Sequence, residues 1–350
     1  MGLTAELRGF LPMHTAGLLT RPADLLTARR LAGSLRAEGV AYGGPRGPRR
    51  TLSDLLVFRL DGGAAPSVMV KHPRTQRAVA SLARECEVVQ RLEHDERLGS
   101  WRRLVPQVEQ RRLQGPLPLV VQRCLPGIEG DTLLQRSPQL THQVALSALG
   151  AIRELHLATG RTEEVTTRLS DWVEPQLSVL AREVRWCRHG RGADAMSVLR
   201  GRLQCALFGR RLLVGWTHGD FHAGNVLLAR REGGLLGVID WVGAVPDGPS
   251  AIDCRTFVLT MRHQHEGRQF GRVVAEAVRD DSLRPEDRRL LSEVGEPVTD
   301  NQGETALTLL TWLWHVAGNV AKSARYGRSH RWVTENVVPV LSEVAAEGAP

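Results

Sequence analysis

The sequence predicts an α+β chain in two lobes: a small one with an antiparallel sheet and a helix, and a large one that is mostly α-helical. Three observations carry that expectation. Short apolar runs bounded by turn residues cluster early in the chain, at Leu55 to Leu60 and Val68 to Lys71, with another from Pro118 to Gly127. That last run breaks at Pro126-Gly127, and segments of helical periodicity dominate everything beyond it. The length, 350 residues, exceeds one typical core and suits two. The expected division is a helical extension over 1–39, a small lobe over 40–123 and a large lobe over 124–350.

In chain order, residues 1–39 carry helical periodicity, and Leu25, Leu26, Leu31 and Leu35 form an apolar stripe expected to pack on the small lobe. Gly43-Gly44-Pro45-Arg46-Gly47-Pro48-Arg49-Arg50 reads as a loop whose glycines permit close backbone approach to an anion, although its prolines remove amide donors. Two strands follow, Leu55 to Leu60 and Val68 to Lys71, then a helix from Ala80 to Leu92 with Leu82, Val89 and Leu92 as its apolar positions. After Gly127, helices are expected over 143–157, 169–187, 193–207, 250–261, 268–278, 284–294, 305–324 and 333–346. Trp312 and Trp314 lie in one of these apolar runs and read as core. Set among the helices, Val226 to Ala229 and Leu235 to Ile239 are short buried strands joined by the turn Arg231-Glu232-Gly233-Gly234.

That hairpin carries the chemistry. It follows His218-Gly219-Asp220-Phe221-His222-Ala223-Gly224-Asn225 and leads into Asp240-Trp241, so it folds Asp240 back beside Asn225. A carboxylate and an amide oxygen so placed suit a hard cation shared with triphosphate oxygens. Asp220, five residues before Asn225, stands near the place of a hydroxyl nucleophile. The spacing H-x-D-x-x-x-x-N is that of a phosphoryl-transfer loop, in which the Asp accepts the hydroxyl proton while the Asn and a later Asp hold magnesium. Trp241-Val242 stands where that pattern has Phe-Gly, so the assignment of Asp240 rests on spacing. Upstream, Lys71 closes an apolar strand, and only two lysines, Lys71 and Lys322, occur among 46 basic residues. A compact ammonium suits a confined phosphate site in a way a guanidinium cannot copy. Glu85 is the expected partner of Lys71, with Glu87 in competition; at about 100° per residue only one of the two can face it.

The form H-G-D-x-x-x-x-N, with Ile239-Asp240-Trp241 downstream, resembles the aminoglycoside phosphotransferase and choline kinase branch of the protein-kinase-like fold. Ala251-Ile252-Asp253 and Leu155-His156 extend the resemblance, which covers roughly residues 40 to 340. It implies a bilobal kinase-like fold, ATP or GTP and Mg2+ as cofactors, and Asp220 as the catalytic residue. Asn225 and Asp240 would hold the metal, Lys71 with Glu85 the α- and β-phosphates, and Asp253 would brace the catalytic loop. Gly43, Gly44 and Gly47 would cover the phosphates, and the backbone at Gln122, Arg123 and Cys124 would meet adenine.

Composition narrows the class. With 42% hydrophobic and 24% charged residues the usage is that of a globular enzyme. No apolar run approaches the ~20 residues of a membrane span, and the N-terminus lacks a signal-peptide core, so a cytoplasmic protein without a membrane partner is expected. Five cysteines without C-x-x-C spacing read as free thiols, and His263-Gln264-His265 as a solvated helix end. The net charge of +8 is uneven: residues 1–115 carry 19 basic and 11 acidic side chains, the remainder 27 of each. No recognition motif or aromatic-basic platform accompanies that charge, which argues against nucleic acid as a partner. A polycationic acceptor would call for an acidic face, and the neutral large lobe offers none. The leading expectation is transfer to a hydroxyl of a small molecule. A Ser/Thr kinase acting on a precursor peptide, docked by its acidic segment on the basic small lobe, comes second; a silent nucleotide-binding scaffold comes third.

Overall fold

The computed structural model describes residues 22–39, 42–63, 66–231, 233–297 and 299–347. Residues 1–21, more than half of the expected N-terminal extension, lie outside them. Helix α1 (Pro22–Ala37) leads into β1 (Pro45–Arg50), β2 (Leu55–Leu60), β3 (Val68–Pro73), α2 (Gln76–His94), β4 (Val108–Arg112) and β5 (Leu119–Arg123). The strands form one antiparallel sheet in the order β1-β2-β3-β5-β4. Alternation divides its faces. Leu56, Phe58, Leu60, Val68, Val70 and Val121 pack on α1, while Val120 meets Leu82 and Cys86 of α2 on the other face.

Two expectations for this lobe need correcting. The buried positions of α1 are Asp24, Ala28, Leu31, Ala32 and Leu35, and Leu26 is 56% exposed. Leu26 falls off the i, i+4, i+7 repeat that faces the sheet, so two alanines complete the stripe in its place. The segment Gly43–Arg50 is no loop: from Pro45 onward it is β1, with a bulge between Arg46 and Arg49 where Gly47 takes φ 58°. β1 lies at the sheet's edge, where prolines without an N–H and a bulge are tolerated. The tight turn linking the first two strands is instead Thr51–Asp54, closed by Thr51 N–H to Leu55 O at 2.8 Å, with Asp54 at φ 57°.

Beyond the sheet come β6 (Ile128–Glu129), α3 (Gly130–Arg136), α4 (Thr141–Thr159), β7 (Arg161–Glu164), α5 (Arg168–Glu183), α6 (Arg191–Leu207) and β8 (Arg211–Thr217). Then follow β9 (Val226–Leu228), β10 (Leu235–Val238), β11 (Val245–Pro249), α7 (Ala251–Glu266), α8 (Phe270–Arg279), α9 (Pro285–Glu293), α10 (Asn301–Lys322), α11 (Ala324–Arg328), α12 (His330–Asn336) and α13 (Val338–Glu347). The expected hairpin is β9 with β10, extended by β6; a second small sheet, β11-β8-β7, was not foreseen. The helix expected over 333–346 is two, because Pro339 has no N–H to continue the ladder from α12.

α10 is the axis of this lobe, packed against α5, α6, α7 and α8. Trp312 and Trp314 on it are core: their indole N–H groups donate to Asn336 O at 2.8 Å and Trp172 O at 3.0 Å. Arg255, 1% exposed, ties α7 to α10 through Glu304 at 2.8 Å. Among the described residues no helix is long and apolar enough to cross a membrane.

Candidate active site

The site is built where β8 ends. Asp253, fully buried in the first turn of α7, accepts from the backbone N–H of His218 at 2.7 Å and of Gly219 at 2.9 Å, and lies 3.0 Å from His156 Nε2 on α4. One carboxylate thereby fixes the start of the loop. Gly219 takes φ 77°, and a Cβ there would come within 2.5 Å of Gly243 O, so the loop passes too close to its neighbour for any side chain. The His218 ring lies 3.0 Å from Ile239 O through Nε2 and receives the Asp220 N–H at Nδ1 (3.3 Å), an arrangement for the neutral ring. Burial correspondingly pushes its pKa down.

Asn225 follows on a short 3-10 turn, Ala223–Asn225. Its Nδ2 donates to Asp220 O at 2.9 Å, which turns its amide oxygen away from that backbone. Ile239 N–H donates to Asn225 O at 2.9 Å, the bond by which the hairpin returns the chain to Asp240. Asp240 itself takes φ 64°, a left-handed conformation for a non-glycine residue, of the kind that collects at functional sites. Trp241, in place of the expected Phe, is fully buried, donates to Val238 O at 2.9 Å and packs 4.6 Å from the His218 ring.

The small lobe contributes Lys71, whose Nζ lies 2.5 Å from Glu85 Oε1. Glu87 is solvated instead, 3.4 Å from Arg111, so the helix turns Glu85 inward. Of the three glycines expected over the phosphates, Gly47 lines a cavity of about 290 Å³ on the sheet with Arg46, Arg49, Val57, Arg59 and Met69. Gly43 and Gly44 precede β1, and Gly43 N–H is spent on Asp61 O. Arg123 N–H donates to Gln107 O and Cys124 N–H to Ser67 O, both at 2.9 Å, so these two donors are used inside the lobe. The Gln122 side chain is 3% exposed, sits opposite Met69, and its Nε2 has no hydrogen-bond partner among the described residues. An unmet buried donor of this kind costs about 1–3 kcal/mol, which a ligand's acceptor atom would offset.

Sequence reasoning counted Lys322 without placing it. At the last turn of α10, its Nζ lies 2.6 Å from Asp220 Oδ2 and 2.9 Å from Asp240 Oδ2. Burial alone would raise the Asp220 carboxyl, but the Lys322 ammonium, helped by His222, holds it well below the usual carboxylate range. Asp240 is likewise lowered, burial being outweighed by Lys322. His315, stacked on Phe270, places Nδ1 3.5 Å from the other Asp220 oxygen. His263 and Gln264, expected at a solvated helix end, are engaged: His263 Nδ1 with Arg268 O, and Gln264 Nε2 with Asp131 Oδ1 at 2.9 Å. The only signals for Lys322 and His315 were residue type and position in an apolar helix, and neither specifies a contact across about a hundred residues.

The donor set fits a hard divalent cation: one carboxylate, Asp240, and one amide oxygen, Asn225, two ligands that leave room for phosphate oxygens. No group of three or more His, Cys, Asp or Glu that could hold a metal occurs among the described residues, so a thiolate- or imidazole-rich centre is not what the fold presents.

The family model of the phosphotransferase enzyme family matches residues 48–251, from β1 to the start of α7. Among solved structures, a putative aminoglycoside phosphotransferase from Ralstonia eutropha is similar at a TM-score of 0.54 and 14% identity, covering 91% of this chain and 97% of its own. An aminoglycoside-3'-phosphotransferase of type VIII gives 0.51 and 18%, covering 82% and 99%. An aminoglycoside phosphotransferase from Streptomyces rimosus, solved with ADP and streptomycin, gives 0.50 and 19%, covering 81% and 98%. At these identities the likeness is one of fold. Among curated proteins, none matches.

Proposed function

The chain belongs to the phosphotransferase enzyme family, and we propose that it transfers the γ-phosphoryl group of ATP or GTP to a hydroxyl of a small molecule. The observation that carries this reading is the convergence of Asp220, Asn225 and Asp240 on one loop and hairpin, opposite a lysine paired with a buried glutamate. In the mechanism, Lys71, oriented by Glu85, binds the α- and β-phosphates. Asp220 orients the acceptor hydroxyl and takes its proton as the oxygen attacks phosphorus in line. Asn225 and Asp240 would hold Mg2+, which supplies charge neutralisation at the phosphates when bound. Residues 40–123, with α1 on the outer face, form the nucleotide lobe; residues 124–350 carry catalysis and the acceptor. We propose the Thr51–Asp54 turn, which links the first two strands, as the segment that covers the phosphates. The free thiols and the nucleotide substrate suit a cytoplasmic enzyme.

The peptide reading rested on a basic small lobe. Many of those guanidiniums are engaged: Arg46 and Arg59 with Asp61, Arg49 with Glu129, Arg112 with Glu38 and Arg123 with Glu109. Most of these pairs use carboxylates of the same lobe, so its net excess stands, and the small molecule is favoured by the family to which the chain belongs. Around Asp220 stand His222, His315, Asn225 and Lys322, the last shared with Asp240, and the basic groups among them suit a neutral or anionic acceptor over a polycation. The test offers γ-labelled ATP or GTP with Mg2+ to hydroxylated metabolites, aminoglycosides included, and separately to Ser/Thr peptides from the same extract. Label on a small molecule is expected; label on peptides alone would overturn the choice of acceptor.

A further inference from the structure

The phosphotransferase reading leaves one buried charged group without a task. We infer that Lys322 is a catalytic residue whose ammonium group holds the γ-phosphoryl group as it passes from the nucleotide to the acceptor, an inference that rests on the reading above. Position comes first. Lys322 Nζ lies within hydrogen-bonding distance of both Asp220 and Asp240, the carboxylates on the acceptor side and on the metal side of the transfer path. A group that touches both stands where the phosphoryl must cross. Its side chain is 15% exposed, enough to be reached by a ligand and too little to be free in solvent.

The support beneath it is rigid. α10 is capped at its start by Asp300, whose Oδ1 accepts from Gly303 N–H at 2.8 Å, and held along its length by buried Trp312, Trp314 and the Arg255–Glu304 pair. Ser323, 1% exposed, ends the helix directly after Lys322, so the ammonium is delivered by a fixed terminus. Residue type argues the same way. The chain uses arginine almost everywhere, and its two lysines are the one beside Glu85 and this one. Both confront the place of a phosphate, where a compact donor fits and a planar fork does not.

In the step, the acceptor oxygen forms a bond to the γ-phosphorus and its proton passes to Asp220. The bond from phosphorus to the β–γ bridging oxygen breaks, and its electron pair leaves with the nucleoside diphosphate. Lys322 stays protonated throughout. It exchanges Asp240 Oδ2 for an equatorial phosphoryl oxygen and keeps its contact to Asp220, which would leave Asp240 free to hold Mg2+. Charge on those equatorial oxygens is met by a donor already in place.

The test compares wild type with Lys322→Met and Lys322→Arg, using phosphorylation of whichever acceptor the labelling identifies and slow hydrolysis of the γ-phosphate by water. Expected is a 100- to 1,000-fold loss of kcat in both variants, with nucleotide Kd and acceptor KM within about threefold of wild type. A second readout needs no turnover: Mn2+ binding to the nucleotide-free protein, followed by paramagnetic resonance. It should tighten about tenfold or more in Lys322→Met, because Asp240 is no longer engaged by an ammonium. A kcat within threefold of wild type in Lys322→Met, or full rescue by Lys322→Arg, would reduce Lys322 to a counter-ion and overturn the inference. A lowered Tm with unchanged kcat would do the same. Wild-type protein that neither transfers nor hydrolyses sinks the phosphotransferase reading itself, and this inference with it.

Discussion

Asp253 shows how single residues govern the loop, because its three contacts tie the backbone of His218 and Gly219 to the buried His156. Asn at this position has one acceptor oxygen and would point an N–H group at a donor. Asp253→Asn should cost about 2–3 kcal/mol in urea unfolding and lower kcat along with it; an unchanged midpoint would show that the loop holds its shape without the brace. Asp220→Asn should preserve nucleotide binding and remove turnover, as expected of the group that takes the proton. Equal turnover by this variant would end the assignment. At this scale the local motif was readable: His218 to Asn225 and Asp240 sit together because a short hairpin leaves them no alternative. Glu85 against Glu87 was not decidable until the face of α2 was known. Lys322 was beyond reach, since its contact with Asp220 spans 102 positions and depends on how α10 packs.

Among the elements, α1 is the instructive case. Apolar periodicity announced a helix, but which side faced the sheet depended on Ala28 and Ala32, whose small side chains let the helix approach. Asp24 then latches its start, with Arg50 at 2.8 Å and Arg74 at 2.7 Å. The Arg50 guanidinium, working against burial and joined by Arg74, holds the Asp24 carboxyl below its ordinary value. A carboxyl lowered on folding adds stability above its unfolded value, roughly 3.9, and loses it as pH falls through the folded one. The stability gap between wild type and Asp24→Asn should therefore be constant from about pH 7 to 5 and shrink below about pH 4. Urea titrations across that range decide it, and a gap unchanged down to the lowest pH at which both remain folded would dissociate the latch from its charge. β1 makes the opposite point: a Gly- and Pro-rich run reads as a loop on local preference, and becomes a strand only because an edge position excuses missing donors.

On the scale of the whole molecule, the two lobes share a buried contact, where Val88, Val89, Leu92, Leu98 and Trp101 pack into the large-lobe core and Trp101 donates to Ala151 O at 2.8 Å, with exposed ion pairs elsewhere. Arg325 meets Asp54 at 3.0 Å, Arg49 meets Glu129 at 2.7 Å, and the arginines are 67% and 50% exposed. Pairs of that kind contribute at most about 1 kcal/mol each, so the buried contact, more than the exposed pairs, holds the lobes together. A nucleotide that contacts Lys71 on one side and Asp240 on the other should then stabilise both lobes together. At a concentration a hundred times its Kd, linkage gives about 2.7 kcal/mol, which for a chain of this size is a rise of about 3–6 °C in Tm. The rise should require Mg2+, because Asp240 and Asn225 reach the phosphates through a hard cation. Asp240→Asn should lose most of it, while Asp220→Asn should keep it, since Asp220 serves the acceptor. Thermal shifts with and without Mg2+ on the three proteins separate the roles: equal shifts in all three would place the metal elsewhere, and a loss confined to Asp220→Asn would exchange the two carboxylates' assignments.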